Sequence, residues 1–146
     1  MSEMDYSYEE RQRIVTDELY QKFFIETPIG DVEFTIGAQA GNDIQVDAQI
    51  VDPAGDPMED QYGVDVFITD DADGLVPTAS APDGGIAISE GSVLNEVVAD
   101  TQLLALTGAA GLMSLVLTHA GAATTWHVAI KLPNGLYAIS GEVAFS

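Results

Sequence analysis

Two histidines and one acidic turn are the side chains with the clearest chemical potential in this chain of 146 residues. An imidazole can serve as a general base for a serine nucleophile or as a metal ligand. His119 and His127 have no helical framework between them, and the chain contains neither a Gly-x-Ser-x-Gly motif, nor a glycine-rich phosphate loop, nor a cysteine. We therefore expect no enzymatic activity, and we expect His127 to be a solvent-exposed residue of a strand.

The acidic turn contains three carboxylates, Asp70, Asp71 and Asp73, followed by Gly74. Carboxylate oxygens are the ligands that calcium prefers, but the turn lacks the regular ligand spacing and the closing bidentate glutamate of an EF-hand loop. We expect a plain acidic turn, with calcium binding as the weaker alternative, and no cofactor.

His127 belongs to the first of two alternating segments, 124–132 and 137–145, joined by Pro133-Asn134-Gly135-Leu136. Alternation with a turn between predicts a β-hairpin. One face of this hairpin is apolar and is predicted to enter the core through five residues, which are Trp126, Val128, Ile130, Val143 and Phe145.

If the apolar faces of both strands enter the same core, the register of this hairpin is fixed. It requires Leu132 opposite Tyr137, Ile130 opposite Ile139 and Trp126 opposite Val143, which a turn of two or four residues allows. A three-residue turn with a glycine bulge would shift the pairing by one and turn Tyr137 and Val143 to the polar face. Since Pro133 cannot donate a hydrogen bond beside a two-residue turn, we favour the four-residue loop.

The rest of the chain after residue 31 is also strand and turn. Alternating apolar residues recur at intervals of about 8 to 12 residues, with no helical pattern between them. This spacing predicts eight or nine short strands in an antiparallel β-sandwich, because long loops alternate with tight ones as Greek-key crossings require. A lipocalin-like barrel is the alternative.

Residues 1–31 differ in kind from this predicted sandwich domain of residues 32–146. Between about residues 8 and 24 the apolar side chains recur at helical spacing, and Thr27-Pro28 would end the helix. A single amphipathic helix of this length is marginal in water, so the segment must bind a surface. That surface is either its own domain, another copy of the chain or a different protein. The residues expected to bind are Ile14, Val15, Leu19, Phe23 and Phe24.

The net negative charge of the chain limits which classes of molecule it can bind. The chain has 24 acidic and 4 basic residues, and Lys131 is the only base after residue 31. Such a surface repels phosphate backbones and anionic lipid, so we expect neither nucleic acid nor membrane as a partner. The first residues lack the pattern of a signal peptide, which predicts synthesis in a cytoplasm.

Three groups of turn residues carry a resemblance to a known family. Asp52-Pro53-Ala54-Gly55-Asp56-Pro57 follows a long strand, Thr107-Gly108 precedes another, and Gly121-Ala122-Ala123-Thr124 leads into the last hairpin. These motifs resemble those of bacterial immunoglobulin-like domains of the invasin type. The ending from Trp126 to Phe145 is similar to that of small virion proteins of tailed phages that contain one such domain.

The resemblance implies an immunoglobulin-like sandwich without catalytic residues. It also implies a place on a virion, most simply as a capsid decoration or cement protein made in the host cytoplasm. Residues 1–31 would then bind the major capsid protein or another virion protein, and the protein would form a homo-oligomer or lattice contacts. The alternative is a cell-surface or tail-fibre module for adhesion or carbohydrate binding, which could depend on calcium.

Overall fold

The computed structural model describes residues 28–74 and 76–146, and this part of the chain consists of strands and loops. The prediction of an all-β antiparallel sandwich is confirmed, and the barrel alternative is wrong. The predicted N-terminal arm lies almost entirely outside the described residues. The ten strands are β1 (Asp31–Ile36), β2 (Asp43–Val51), β3 (Gly63–Thr69), β4 (Ile86–Glu90), β5 (Ser92–Val98), β6 (Gln102–Leu106), β7 (Leu112–Thr118), β8 (Thr124–Lys131), β9 (Tyr137–Ile139) and β10 (Val143–Phe145).

Two sheets of antiparallel strands form the sandwich. The first has the order β1-β2-β7-β4, and the second has the order β10-β8-β3-β6-β5, with β9 beside β10 along the same edge of β8. Without the β5-β6 hairpin, this is the strand arrangement of an immunoglobulin constant-type domain, with β9 and β10 together forming the last strand. The hairpin widens the second sheet on the far side of β3.

The core fills the space between the sheets because inward positions alternate along each strand. All five residues expected in the core from the last hairpin are buried, and Trp126 is only 3% exposed. The largest fully buried side chains come from both sheets, and burial of each aliphatic one stabilises the fold by about 1.5–3 kcal/mol. These include Ile44, Ile50, Ile68, Leu103, Met113, Leu115, Leu117 and Ile130.

The predicted register of the last hairpin is wrong for its first half. Lys131 pairs with Tyr137, and Ile130 pairs with Ala138, one residue away from the expected partners. The connection is a three-residue turn, in which the amide of Leu132 donates to the carbonyl of Leu136 at 2.8 Å and Gly135 has a φ of 87°. Glycine adopts this left-handed conformation without steric cost, and the glycine bulge it allows sets the shift.

A bulge before β10 restores the expected register in the second half. Ser140 is still bonded to Val128, whereas Val143 pairs with Trp126 as predicted. Gly141 and Glu142 together therefore stand opposite the single residue His127, which is the two-against-one count of a β-bulge. The shifted turn moves Tyr137 to the outer face, and the bulge keeps Val143 in the core.

Candidate interaction surfaces

The environment of His127 differs from the predicted one. The prediction of a solvent-exposed histidine is wrong, since His127 is only 8% exposed. It lies on the outer face of the second sheet, where Nδ1 is 3.0 Å from the carbonyl oxygen of Ser140. That contact requires the proton on Nδ1. Burial follows because this outer face also contains the buried Phe67 and Ala129, which makes it partly apolar.

His119 lies at one end of the sandwich in an aromatic cluster. Its ring packs edge-to-face against two aromatic rings, with centroid distances of 4.8 Å to Trp126 and 5.6 Å to Phe145. Nδ1 accepts the amide proton of Asp83 at 3.2 Å, and Nε2 lies 3.0 Å from the carbonyl oxygen of Ala122. Both nitrogens are therefore used in joining two loops, and neither contacts a hydroxyl group among the described residues.

The carboxylates of the acidic turn hold the turn itself. Asp70 accepts a hydrogen bond from the hydroxyl of Thr78 at 2.6 Å, and Asp71 accepts one from the amide of Asp73 at 3.1 Å. No group of three or more acidic or histidine side chains is placed to hold a metal ion in the described part of the chain. The three weak candidates therefore do not converge on a common point.

Two open hollows lie on the surface of the sandwich. One, of about 520 Å³, is lined by residues 59–62 and Ala109, and the other, of about 540 Å³, lies where the chain enters β1. In the first, the Tyr62 hydroxyl is buried without a hydrogen-bond partner among the described residues. Burial, with a smaller contribution from the charge of Asp60, raises the pKa of Tyr62. None of the described residues that line the two hollows carries an imidazole or an amine.

The outer face of the first sheet is polar, and several of its side chains bond to each other. Asp47 accepts hydrogen bonds from Ser114 at 2.6 Å and from Gln45 at 2.9 Å. Asp43 accepts one from Thr118 at 2.6 Å. These bonds pair several of the polar side chains of this face with each other, and its carboxylates keep it hydrated.

The second sheet carries the exposed apolar surface of the described residues. Every large apolar side chain that is exposed belongs to this sheet or its turns, except Val76 in the loop after β3. One group, here called the β5 patch, consists of Val93, Leu94, Val97, Val98 and Leu104. A second group, the β9 patch, consists of Leu136 and Tyr137.

Neither patch was identified as a surface from the sequence. The segment Val93 to Val98 lies in β5, and the apolar run Leu103 to Leu106 lies in β6. Only Leu103 and Ala105 of that second run are buried. The sequence of β5 does indicate an exposed apolar surface. Apolar residues stand at both odd and even positions of this strand, so they cannot all enter one core.

The predicted binding residues of the arm, Ile14, Val15, Leu19, Phe23 and Phe24, lie outside the described residues. Among the described residues no helix is long and apolar enough to cross a membrane. A scan against models of protein families found no match, and a search of curated proteins found none.

Proposed function

We propose that the protein is a non-enzymatic structural protein of a phage particle, most specifically a capsid decoration protein. In this proposal residues 1–31 bind a capsid protein and the sandwich projects outward. The support from sequence is the set of turn motifs, together with an amphipathic segment that is separate from the sandwich in composition. The proposal assigns no catalytic step to any residue.

The observation that carries the proposal is the contrast between the two outer faces of the sandwich. The first sheet presents hydrogen-bonded acidic and amide side chains, such as Asp47 with Ser114. The second sheet presents the exposed apolar residues. Exposed apolar groups bordered by polar surface are typical of protein contacts, and a charged, hydrated face suits display towards solvent.

An adhesion or carbohydrate-binding role has less support. Sugar-binding faces commonly present several exposed aromatic rings, whereas Tyr137 is the one exposed aromatic residue among those described, and the core residue Trp126 donates from Nε1 to the carbonyl oxygen of Ser80 at 2.9 Å. Two of the three carboxylates of the acidic turn already accept protein hydrogen bonds, that of Asp70 from Thr78 and that of Asp71 from the amide of Asp73. We therefore retain only the particle protein.

Cosedimentation with heads purified from the phage that encodes the chain tests the proposal. The full chain should pellet with the heads, and Leu19→Asp should weaken binding roughly tenfold or more, because burial of one leucine contributes about 1.5–3 kcal/mol. Gln21→Asp is the matched control, since it adds the same charge off the apolar stripe. Failure of the full chain to bind, or equal binding of Leu19→Asp, would contradict the proposal.

A further inference from the structure

The β5 patch is not covered by any of the residues that the structure describes. All seven residues of β5 are exposed, although β5 is paired with β6 along its length. The second sheet extends to β5, whereas the first sheet ends at β4, so β5 lies at the margin of the sandwich. Four apolar side chains on such a strand are a larger exposed group than a soluble monomer normally keeps.

The free edge of β5 is poorly suited to pairing with another strand. Its register with β6 shifts twice, between Val93 and Asn95 and between Glu96 and Val98. Bulges of this kind twist an edge strand and interrupt its hydrogen-bonding groups, which is one way that proteins prevent edge-to-edge pairing. The surface is therefore suited to contact through side chains.

The β9 patch lies at the opposite edge of the same sheet. In the strand order, β9 flanks β8 at one end and β5 ends the other side. One row of cross-strand partners on the outer face joins the two regions, since Tyr137 pairs with Lys131, Lys131 with Asp65, and Asp65 with Leu104. A copy of this chain thus presents one apolar patch at each edge.

Charge differs between the two patches. Glu90 and Asp100 flank β5 at its two ends, Glu96 lies on β5 opposite the inward-facing Leu103, and among the described residues no base lies beside the patch. The ammonium group of Lys131, the only base after residue 31, lies 5.7 Å from the centre of the Tyr137 ring. Two β5 patches in contact would bring acids against acids, whereas the β9 patch brings apolar side chains and a cation to the β5 patch.

We infer that copies of this chain associate head to tail, with the β9 patch of one copy packed against the β5 patch of the next. Contact between two different patches is heterologous, so each copy keeps one patch free for a further neighbour. Such a contact closes into a ring when the rotation between copies allows it. The inference goes beyond the proposed function and does not depend on binding to a particle.

Disulfide trapping in the full chain tests this contact, because the chain has no cysteine of its own. Leu94 and Leu136 are the most exposed residues of their patches, at 56% each, so each can be replaced by cysteine with little effect on the fold. An equimolar mixture of Leu94→Cys and Leu136→Cys, oxidised with diamide, should form several-fold more disulfide-linked dimer than either variant alone. Thr35→Cys, on the outer face of the first sheet, replaces either partner as the control.

Each outcome decides the question. Preferential linkage of Leu94→Cys to Leu136→Cys supports the head-to-tail contact. Strongest linkage in Leu94→Cys alone would show a symmetric β5 contact and overturn it. Linkage of the mixture no better than that with Thr35→Cys would also overturn it, since copies held together by any other surface would not select this pair.

A charge exchange gives a second, independent readout of the same contact. Adding Lys131→Glu to both cysteine variants should lower the yield of the mixed dimer, because an acid then faces the acidic β5 patch. Adding Asn95→Lys as well should restore the yield, because Asn95 pairs with Leu104 on the outer face of the β5 patch. If Lys131→Glu has no effect, or if the second change does not restore the yield, the proposed pairing of the patches is wrong.

Discussion

Between β9 and β10, the hydroxyl of Ser140 acts as the hydrogen-bond acceptor that a backbone carbonyl would otherwise provide. Its Oγ accepts the amide proton of Val128 at 2.9 Å and donates to the carbonyl oxygen of Gly141 at 2.8 Å. Ser140 is 5% exposed, so water cannot readily replace these bonds. This side chain allows the bulge that returns Val143 to the core without leaving a buried amide unpaired.

Ser140→Ala tests this role. The substitution leaves the amide of Val128 without its acceptor, and an unsatisfied buried donor costs about 1–3 kcal/mol. We expect that loss in the free energy of unfolding measured by urea denaturation. The control Ser89→Ala changes an exposed serine and should cost less than about 0.5 kcal/mol. Equal effects of the two substitutions would contradict the assignment.

Tyr62→Phe should have the opposite effect on stability. It removes a buried hydroxyl without a partner among the described residues, so we expect a gain on the order of 1 kcal/mol at neutral pH. The folded state holds the Tyr62 proton above the ordinary pKa of 10.0, so stability falls as pH rises above that value. In alkaline unfolding experiments the variant should lose less stability than the parent between neutral pH and the alkaline range. A steeper alkaline loss in the variant would contradict this account.

At the scale of elements, the conformation of one turn residue decides which face of β9 meets the core. Gly135 allows the three-residue turn, which pairs Lys131 with Tyr137 and places Ala138 inside. The exposed Leu136 and Tyr137 of the β9 patch result from this turn. The turn therefore links local backbone geometry to the surface available for binding.

Gly135→Ala should destabilise the hairpin. A side chain in the left-handed region costs about 1–2 kcal/mol, and we expect this loss in thermal or chemical unfolding. Gly63→Ala is the control, because Gly63 has no positive φ and a methyl group there meets no atom within 4 Å. If Gly135→Ala is as harmless as the control, the turn does not depend on this conformation.

Much of the element order could be predicted from sequence, because alternation reports which strands have a buried face. The register of the last hairpin could not, since the segment Pro133-Asn134-Gly135-Leu136 suits a loop of three residues as well as one of four, and the two loops shift the pairing by one residue. The burial of His127 was also missed, because it depends on Phe67 and Ala129 on the same outer face. Alternation on one strand contains no information about such neighbours.

The described residues of the chain form one continuous hydrophobic core. Among the described residues, the core cluster begins at Val32 and ends at Phe145. The sequence separates residues 1–31 from residues 32–146 by composition, since three of the four bases lie in residues 1–31. This division is the basis for assigning attachment to residues 1–31 and display to the sandwich.

Deletion of residues 1–27 should leave the sandwich folded. We expect a cooperative thermal transition by circular dichroism, with a free energy of unfolding within about 1 kcal/mol of that of the full chain, because the retained residues form the core cluster. Loss of the transition would show that the sandwich depends on the deleted segment.

Electron cryomicroscopy of particles carrying the full chain tests the central proposal most directly, because it shows which end of the protein meets the shell. We expect density for residues 1–31 against the capsid protein and the sandwich projecting into solvent. A map with the sandwich seated on the shell and the N-terminal residues directed outward, or particles without the protein, would contradict the account.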